Sequence, residues 1–343
     1  MKNKVLVVDD SSFARRMISD WVSADPAYEL VGQAADGAEG VEMAVRLRPD
    51  VVTLDVEMPK MDGLAALKAI MEKAPCHVIM VSSVTTEGAD TTIRALESGA
   101  FDFVTKPGGS NSLRLTEKKG ELLEKLRAAR FAKHGRSVCV PTVRPSAVSA
   151  SQRVVLVASS TGGPRALVSL FSSFPTGFDA RILVVQHMPA GFTASLAKRL
   201  DSVGPVRVRE AAAGDRVNPG VALLAPGGRH MVVERGGSVA LHDGPSRNGC
   251  RPAADELFES AARVFGSNCL GVVLTGMGHD GRDGALALKA AGCTVLAESE
   301  ATCVIYGMPK SAKDAGAVDE EHPIEEMAAA ICACLSRRSA RAS

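Results

Sequence analysis

What constrains this chain most is the repetition of one unit: a short β-branched run that stops at a polar residue, followed by an amphipathic stretch. In the N-terminal part the runs "KVLVVDD", "ELVGQAAD", "DVVTLDVEMP", "HVIMVSS" and "FDFVTKP" read as strands, separated by helix-like segments such as "GVEMAVRLR" and "GLAALKAI". Strands that alternate with helices close into a parallel sheet covered by helices, so roughly the first 130 residues predict an α/β domain of five βα units.

The unit resumes at Val154. The runs "VVLVA", "RILVVQH", "VALLAP", "HMVVE", "GVVLTGMG" and "CTVLAES" read as strands with helix candidates between them and a hairpin near Arg235 to Ser238. They predict a second α/β domain with a mostly parallel core. Between the two blocks, after the helical "TEKKGELLEKLRAARFAKH", the stretch "GRSVCVPTVRPSAVSASQR" holds two prolines and several serines and shows no period. The expected organisation is a first domain over 1–134, a linker over 135–153, a second domain over 154–335 and a disordered tail, "SRRSARAS", over 336–343. A length of 343 residues suits two domains, and no repeat of solenoid length is present.

Composition removes several classes. The net charge of +1, with both signs scattered along the chain, leaves no basic stripe, and no helix-turn-helix with clustered Lys/Arg follows the first domain. A nucleic-acid partner is therefore not expected. The eight cysteines form no CxxC pair and mostly lie in apolar runs, as reduced thiols of a cytoplasmic protein do. The apolar run in "MKNKVLVVDD" is too short for a signal peptide or a membrane span, so a soluble, unprocessed protein without membrane insertion is expected.

Two strand-end clusters carry chemistry. Asp9 and Asp10 end the first strand and Asp55 ends the third, and in an open parallel sheet such ends converge on one crevice. Strand-end aspartates also serve as helix N-caps, but converging like charges call for a cation, and an all-oxygen, half-solvated site suits Mg²⁺. Lys106 and Ser82, at the ends of the fifth and fourth strands, are placed to hold phosphate oxygens there.

In the second domain, "VVLVASSTGGPRALVSL" takes a strand through Ser160 into a helix. Ser160 reads as a helix cap, as part of a phosphate loop, or as a nucleophile. The phosphate loop is disfavoured because neither GxGxxG nor GxxxxGK[ST] is present. A nucleophile needs a base and an orienting acid, and the chain offers both: His187 ends the next strand, and Asp280 follows another in a glycine-rich loop. In a parallel sheet all three reach one edge. The order Ser, His, Asp differs from that of α/β-hydrolases, and no G-x-S-x-G elbow is present.

The segments "VLVVDDS", "LDVEMPKMDG", "MVSS" and "DFVTKP" resemble the receiver domain of bacterial response regulators. That resemblance implies a (βα)5 fold of strand order 2-1-3-4-5 and phosphorylation of Asp55 by a histidine kinase. It also implies Mg²⁺ held by Asp9, Asp10, Asp55 and the backbone carbonyl of Glu57, with Ser82 and Lys106 reading the phosphorylated state. The segments "ASSTGGP", "QHMPAGFTASLAKRL", "NGCRPAADELFES", "VLTGMGHDG" and "VIYGMPKSA" resemble the catalytic domain of the CheB chemotaxis methylesterases. Position by position, that family's nucleophile falls on Ser160, its base on His187 and its third triad member on Asp280. Its residues beside the nucleophile fall on Thr161, Gly162 and Gly163, and its oxyanion-loop Met on Met277. The chain departs from the pattern at His279, where Asn is more usual, and at Ser159, where Gly or Ala is.

The resemblance implies a phosphorylation-activated serine hydrolase that demethylates glutamate methyl esters, and deamidates some glutamines, on methyl-accepting chemotaxis receptors, with no cofactor for the ester chemistry. It further implies that the unphosphorylated receiver restrains the catalytic domain. The competing expectation is a phosphorylation-dependent module that docks on receptors without catalysis.

Overall fold

The computed structural model describes residues 2–106, 112–132 and 153–339, which belong to two compact units, 1–136 and 137–343. The expected linker lies outside the described residues except for Arg153.

In the first unit strands and helices alternate without exception: β1 (Asn3–Val8), α1 (Ser12–Ser23), β2 (Tyr28–Ala34), α2 (Gly37–Leu47), β3 (Val51–Asp55), α3 (Gly63–Lys73), β4 (His77–Ser82), α4 (Thr86–Glu97), β5 (Asp102–Thr105) and α5 (Ser112–Phe131). The sheet is parallel throughout, in the order β2-β1-β3-β4-β5. Every residue of the central β3 is buried, which is why its apolar Val51, Val52 and Leu54 do not alternate with exposed polar residues. Helix starts are written in the loops: Ser11, Asp36, Asp62 and Thr85 each accept the backbone N–H of Ala14, Glu39, Ala65 and Gly88. Such a cap is worth about 1 kcal/mol over alanine.

The second unit runs β6 (Val154–Ser159), α6 (Gly163–Ser173), β7 (Arg181–Gln186), α7 (Phe192–Val203), β8 (Arg207–Glu210), β9 (Val221–Leu224), β10 (His230–Val233), β11 (Val239–His242), α8 (Ala254–Phe265), β12 (Cys269–Val273), α9 (Arg282–Ala290), β13 (Thr294–Glu298), α10 (Met308–Asp314), β14 (Glu320–His322) and α11 (Ile324–Ser339). Seven parallel strands pair in the order β14-β13-β12-β6-β7-β9-β8. The hairpin expected near Arg235 to Ser238 joins β10 to β11, a separate antiparallel pair. β6 lies between β12 and β7 and is buried at every position. Leu156 and Leu183 of β6 and β7 join Val273 of β12, Leu257 and Phe258 of α8 and Leu288 of α9 in one apolar cluster.

Two strands escaped the sequence reading, β8 and β14. Both are edges of the sheet: β8 alternates exposure with burial, and the three residues of β14 are all half-exposed, so neither leaves an apolar run. The tail expected from Ser336 is corrected as well. α11 continues through Ser339, because no Pro or Gly interrupts "IEEMAAAICACLSRRS", and Ser336 Oγ bonds the carbonyl of Cys332 one turn back at 2.9 Å. Residues 340–343 lie outside the described residues.

Candidate active site

In a parallel sheet the crevice opens at the carboxyl ends of the strands where the order reverses. Here that point is β6, with β7 on one side and β12 on the other. Ser160 follows β6, His187 follows β7, and Asp280 lies in the loop from β12 to α9. All three predicted residues therefore come to one edge on neighbouring strands.

Ser160 is not the cap of α6. The helix begins at Gly163, its N-cap is Gly162 at φ 80°, and no side chain caps it. Instead the Ser160 backbone is fixed from several sides: its N–H donates to Thr275 O at 3.0 Å, and its carbonyl accepts from Gly163 N at 2.8 Å and from Gln186 Nε2 at 2.9 Å. The same Gln186 amide donates to the carbonyl of His187 at 3.0 Å, while His187 N donates to Ser159 O at 3.0 Å. One buried glutamine thus ties the serine loop to the histidine loop. Ser159 donates its hydroxyl to Gln186 Oε1 at 2.7 Å. Ser160 Oγ makes no hydrogen bond to the imidazole among the described residues.

His187 Nε2 lies 2.7 Å from Asp280 Oδ2. Asp280 is buried and accepts three further bonds, from Ala254 N at 2.6 Å, Asp255 N at 3.2 Å and Asn248 Nδ2 at 3.3 Å. Burial pushes its carboxyl up, but the imidazole and the two backbone donors at the start of α8 outweigh this and bring its pKa down to about 2. For His187 burial disfavours the charged ring, yet the bond to Asp280 and the contact with Cys250 raise its pKa to about 10. His279 is exposed and is not a partner of the Asp280 carboxylate.

The remaining predicted residues frame the serine. Thr161 is buried, and its carbonyl accepts from Thr275 Oγ1 at 3.1 Å. Met277 is half-buried on the loop after Thr275. That loop passes so close to Ser160 that a Cβ on Gly276 would lie 2.8 Å from Ser160 Cβ. Beneath it the buried Glu298 accepts Thr275 N at 2.9 Å and Thr302 Oγ1 at 3.0 Å, and burial raises its carboxyl to about 7. Gln186, Asn248 and Glu298 were not singled out from sequence. An Asn-Gly turn signal marks Asn248, whereas no local pattern marks the other two.

In the first unit Asp9, Asp10 and Asp55 offer oxygens within 4.8 Å of one another. Lys106 Nζ reaches Asp55 Oδ2 at 2.5 Å and Asp9 Oδ1 at 3.4 Å. Burial raises Asp55 to about 6 against the pull of Lys106, and Asp9 is raised for the same first reason. Asp9 Oδ2 is buried without a hydrogen-bond partner among the described residues, and an orphaned carboxylate oxygen beside two more carboxylates fits a hard divalent cation. Glu57 N donates to Asp55 Oδ1 at 3.3 Å, and its side chain accepts from Ser83 Oγ at 3.2 Å. Ser82 is turned toward α4: its hydroxyl accepts from Thr92 Oγ1 at 2.9 Å and lies 3.3 Å from Gly88 O.

Comparison with known proteins adds to this geometry. The CheB methylesterase family model matches residues 155–331, and the response regulator receiver domain model matches residues 5–116. The chain is 47% identical to a protein-glutamate methylesterase/protein-glutamine glutaminase of Pyrococcus abyssi, over 95% of this chain and 92% of the relative. It is also 47% identical to the protein of that description from Thermotoga maritima, over 92% and 94%. The crystal structure of the Thermotoga maritima CheB methylesterase catalytic domain superposes at a TM-score of 0.52 with 42% identity, covering 53% of this chain and 98% of that one.

Proposed function

The chain belongs to the CheB methylesterase family and carries a receiver domain, and from that premise we propose that it is a phosphorylation-activated serine hydrolase of chemotaxis receptors. It removes methyl groups from glutamate methyl esters and deamidates particular glutamines, which resets the signalling state of methyl-accepting receptors. What supports this reading is the His187–Asp280 pair closed at 2.7 Å, at the same sheet edge where Ser160 follows β6.

With Nε2 held by Asp280, Nδ1 is the nitrogen of His187 left to take the Ser160 proton. Ser160 Oγ attacks the γ-carbonyl carbon, and backbone N–H groups near Gly162 and Met277, with Thr161 and Gly163 shaping the turn, face the oxyanion. The protonated imidazole then gives its proton to the departing methoxide, releasing methanol, or to the departing amine, releasing ammonia. Water, deprotonated by His187, hydrolyses the acyl-enzyme and frees a glutamate carboxylate. Asp280 keeps the tautomer and stabilises the imidazolium without itself taking the proton.

Asp55 is the phosphoryl acceptor, supplied by a chemotaxis histidine kinase, and Asp9, Asp10, Asp55 and the Glu57 carbonyl are the residues that would hold Mg²⁺. When bound, the ion offsets the charge of the phosphoryl oxygens. Lys106 and Ser82 read the modified state. The receiver spans 1–134, a linker 135–153 and the catalytic domain the residues from 154. No helix among the described residues is long and apolar enough to cross a membrane. The proposed enzyme acts in the cytoplasm, on the inner portions of its receptors.

The test is release of labelled methanol from methylated chemoreceptor membranes by wild type and Ser160→Ala, with and without a small phosphodonor and Mg²⁺. Release by wild type alone, raised by the phosphodonor, is the expected result. Equal release by Ser160→Ala would overturn the nucleophile assignment.

A further inference from the structure

The turn before α8 carries two residues that the catalytic assignment does not use. Arg247 and Cys250 are joined by a pair of backbone bonds, Arg247 N to Cys250 O at 3.1 Å and Cys250 N to Arg247 O at 2.9 Å. The two residues between them, Asn248 (φ 53°) and Gly249 (φ 76°), both take left-handed conformations, as a tight two-residue loop of this kind requires. So short a turn fixes where its side chains point. Asn248 Nδ2 bridges Asp280 Oδ1 at 3.3 Å and Asp255 Oδ2 at 2.9 Å, and Cys250 Sγ stands 3.5 Å from His187 Nδ1. A single turn therefore touches both the acid and the base.

Cys250 is half-exposed, whereas every other described cysteine is buried. Its sulfur faces the nitrogen that has to receive the Ser160 proton, while Asp280 occupies the other. We propose that Cys250 is a positioning residue for the base: its sulfur holds His187 Nδ1 in the resting site, so that the ring is gripped at both nitrogens, and it cedes Nδ1 to Ser160 Oγ when substrate is seated. The sulfur accepts from Nδ1–H of the protonated ring, a charge-assisted bond stronger than the one its S–H can donate to the neutral ring, so the contact favours the charged form. The catalytic consequence rests on the esterase reading above, but the contact does not.

The decisive readout is the titration of His187 in the isotope-labelled full chain, followed by its ring-proton resonance and assigned by its loss in His187→Gln. The titratable groups that face the ring are Asp280 and Cys250. Removing the sulfur in Cys250→Ala lowers the midpoint by about one pH unit, a tenfold change in the protonation equilibrium. Cys250→Ser, which keeps a donor and acceptor on a shorter reach, lies between the two. A midpoint unchanged in both variants overturns the proposal.

A second arm uses the wild-type fold. Iodoacetamide places a carboxamidomethyl group on the Cys250 sulfur with loss of iodide, which mass spectrometry of the peptide verifies. Methanol release should then fall at least about tenfold, the loss of about 1.4 kcal/mol of transition-state stabilisation, while Cys250→Ser gives the same rate with and without reagent. Full activity of protein alkylated at Cys250 overturns the proposal, even where Cys250→Ala fails to fold. A shifted midpoint without methanol release by any form would keep the Cys250 contact and remove the esterase reading. Methanol release with an unshifted midpoint would do the reverse.

Discussion

The carboxylate of Asp280 faces the imidazole of His187 at 2.7 Å and cannot swing away, because the first two amides of α8 and the amide of Asn248 hold it from the other side. A base held this way is oriented before substrate arrives, and that arrangement makes the pair testable from each end.

Asp280→Asn keeps the shape but replaces one acceptor oxygen by an N–H donor, amid three donors already aimed at it. At least one of them loses its partner, and the imidazole loses the charge that fixes its tautomer. Turnover should drop by about 10⁴-fold with a much smaller change in KM. Stability should fall by about 1–3 kcal/mol, the cost of a buried unsatisfied donor. Steady-state methanol release and urea unfolding measure the two losses separately.

The raised pKa of His187, about 10 against an ordinary 6.5, fixes the sign of two pH effects. Only the neutral ring can accept the Ser160 proton, so kcat/KM should climb as pH rises from neutrality toward about 10. In the folding equilibrium the same shift stabilises the native state fully below 6.5, and that contribution is lost as pH rises through about 10. Unfolding curves of wild type should therefore weaken across this window relative to His187→Gln. A flat difference between the two proteins would mean that Asp280 does not hold a charged ring.

Gly276 tests how closely the loop carrying Met277 approaches Ser160. A Cβ there would lie 2.3 Å from Met308 Sδ and 2.8 Å from Ser160 Cβ, and Met308 is fully buried. Gly276→Ala should displace the Met277 loop, cutting kcat by at least about 10²-fold, as losing one oxyanion donor does. Activity within threefold of wild type would place the oxyanion donors elsewhere.

Much of this was legible beforehand for a physical reason. Strands buried on both faces, such as β3, β6 and β7, are apolar at most positions, and the polar residues at or just past their ends, Asp55, Ser160 and His187, stand where a parallel sheet presents chemistry. What stayed hidden lacks a local signature. β8 and β14 are edges with little to bury. Gln186 ends an apolar run as an ordinary polar stop would, and only the fold reveals that its amide spans Ser160 and His187. The rival reading of Ser160 as a cap was settled by geometry too, since Gly162 holds that position with no side chain over the helix start.

Asp55 and Lys106 make the regulatory half testable without touching the ester chemistry. The Lys106 ammonium lies 2.5 Å from Asp55 Oδ2. Burial alone would lower its pKa, but Asp55 and Asp9 outweigh this and raise it, so the lysine stays charged. Phosphorylation of Asp55 would put further negative charge against that ammonium, and the pair should tighten. Asp55→Asn removes the acceptor oxygen and should abolish stimulation of methanol release by a small phosphodonor while leaving the unstimulated rate in place. Lys106→Met should still take the phosphoryl group, detected as the mass increase of the Asp55 peptide, yet show little stimulation. Stimulation that survives in Asp55→Asn would move the switch to another residue.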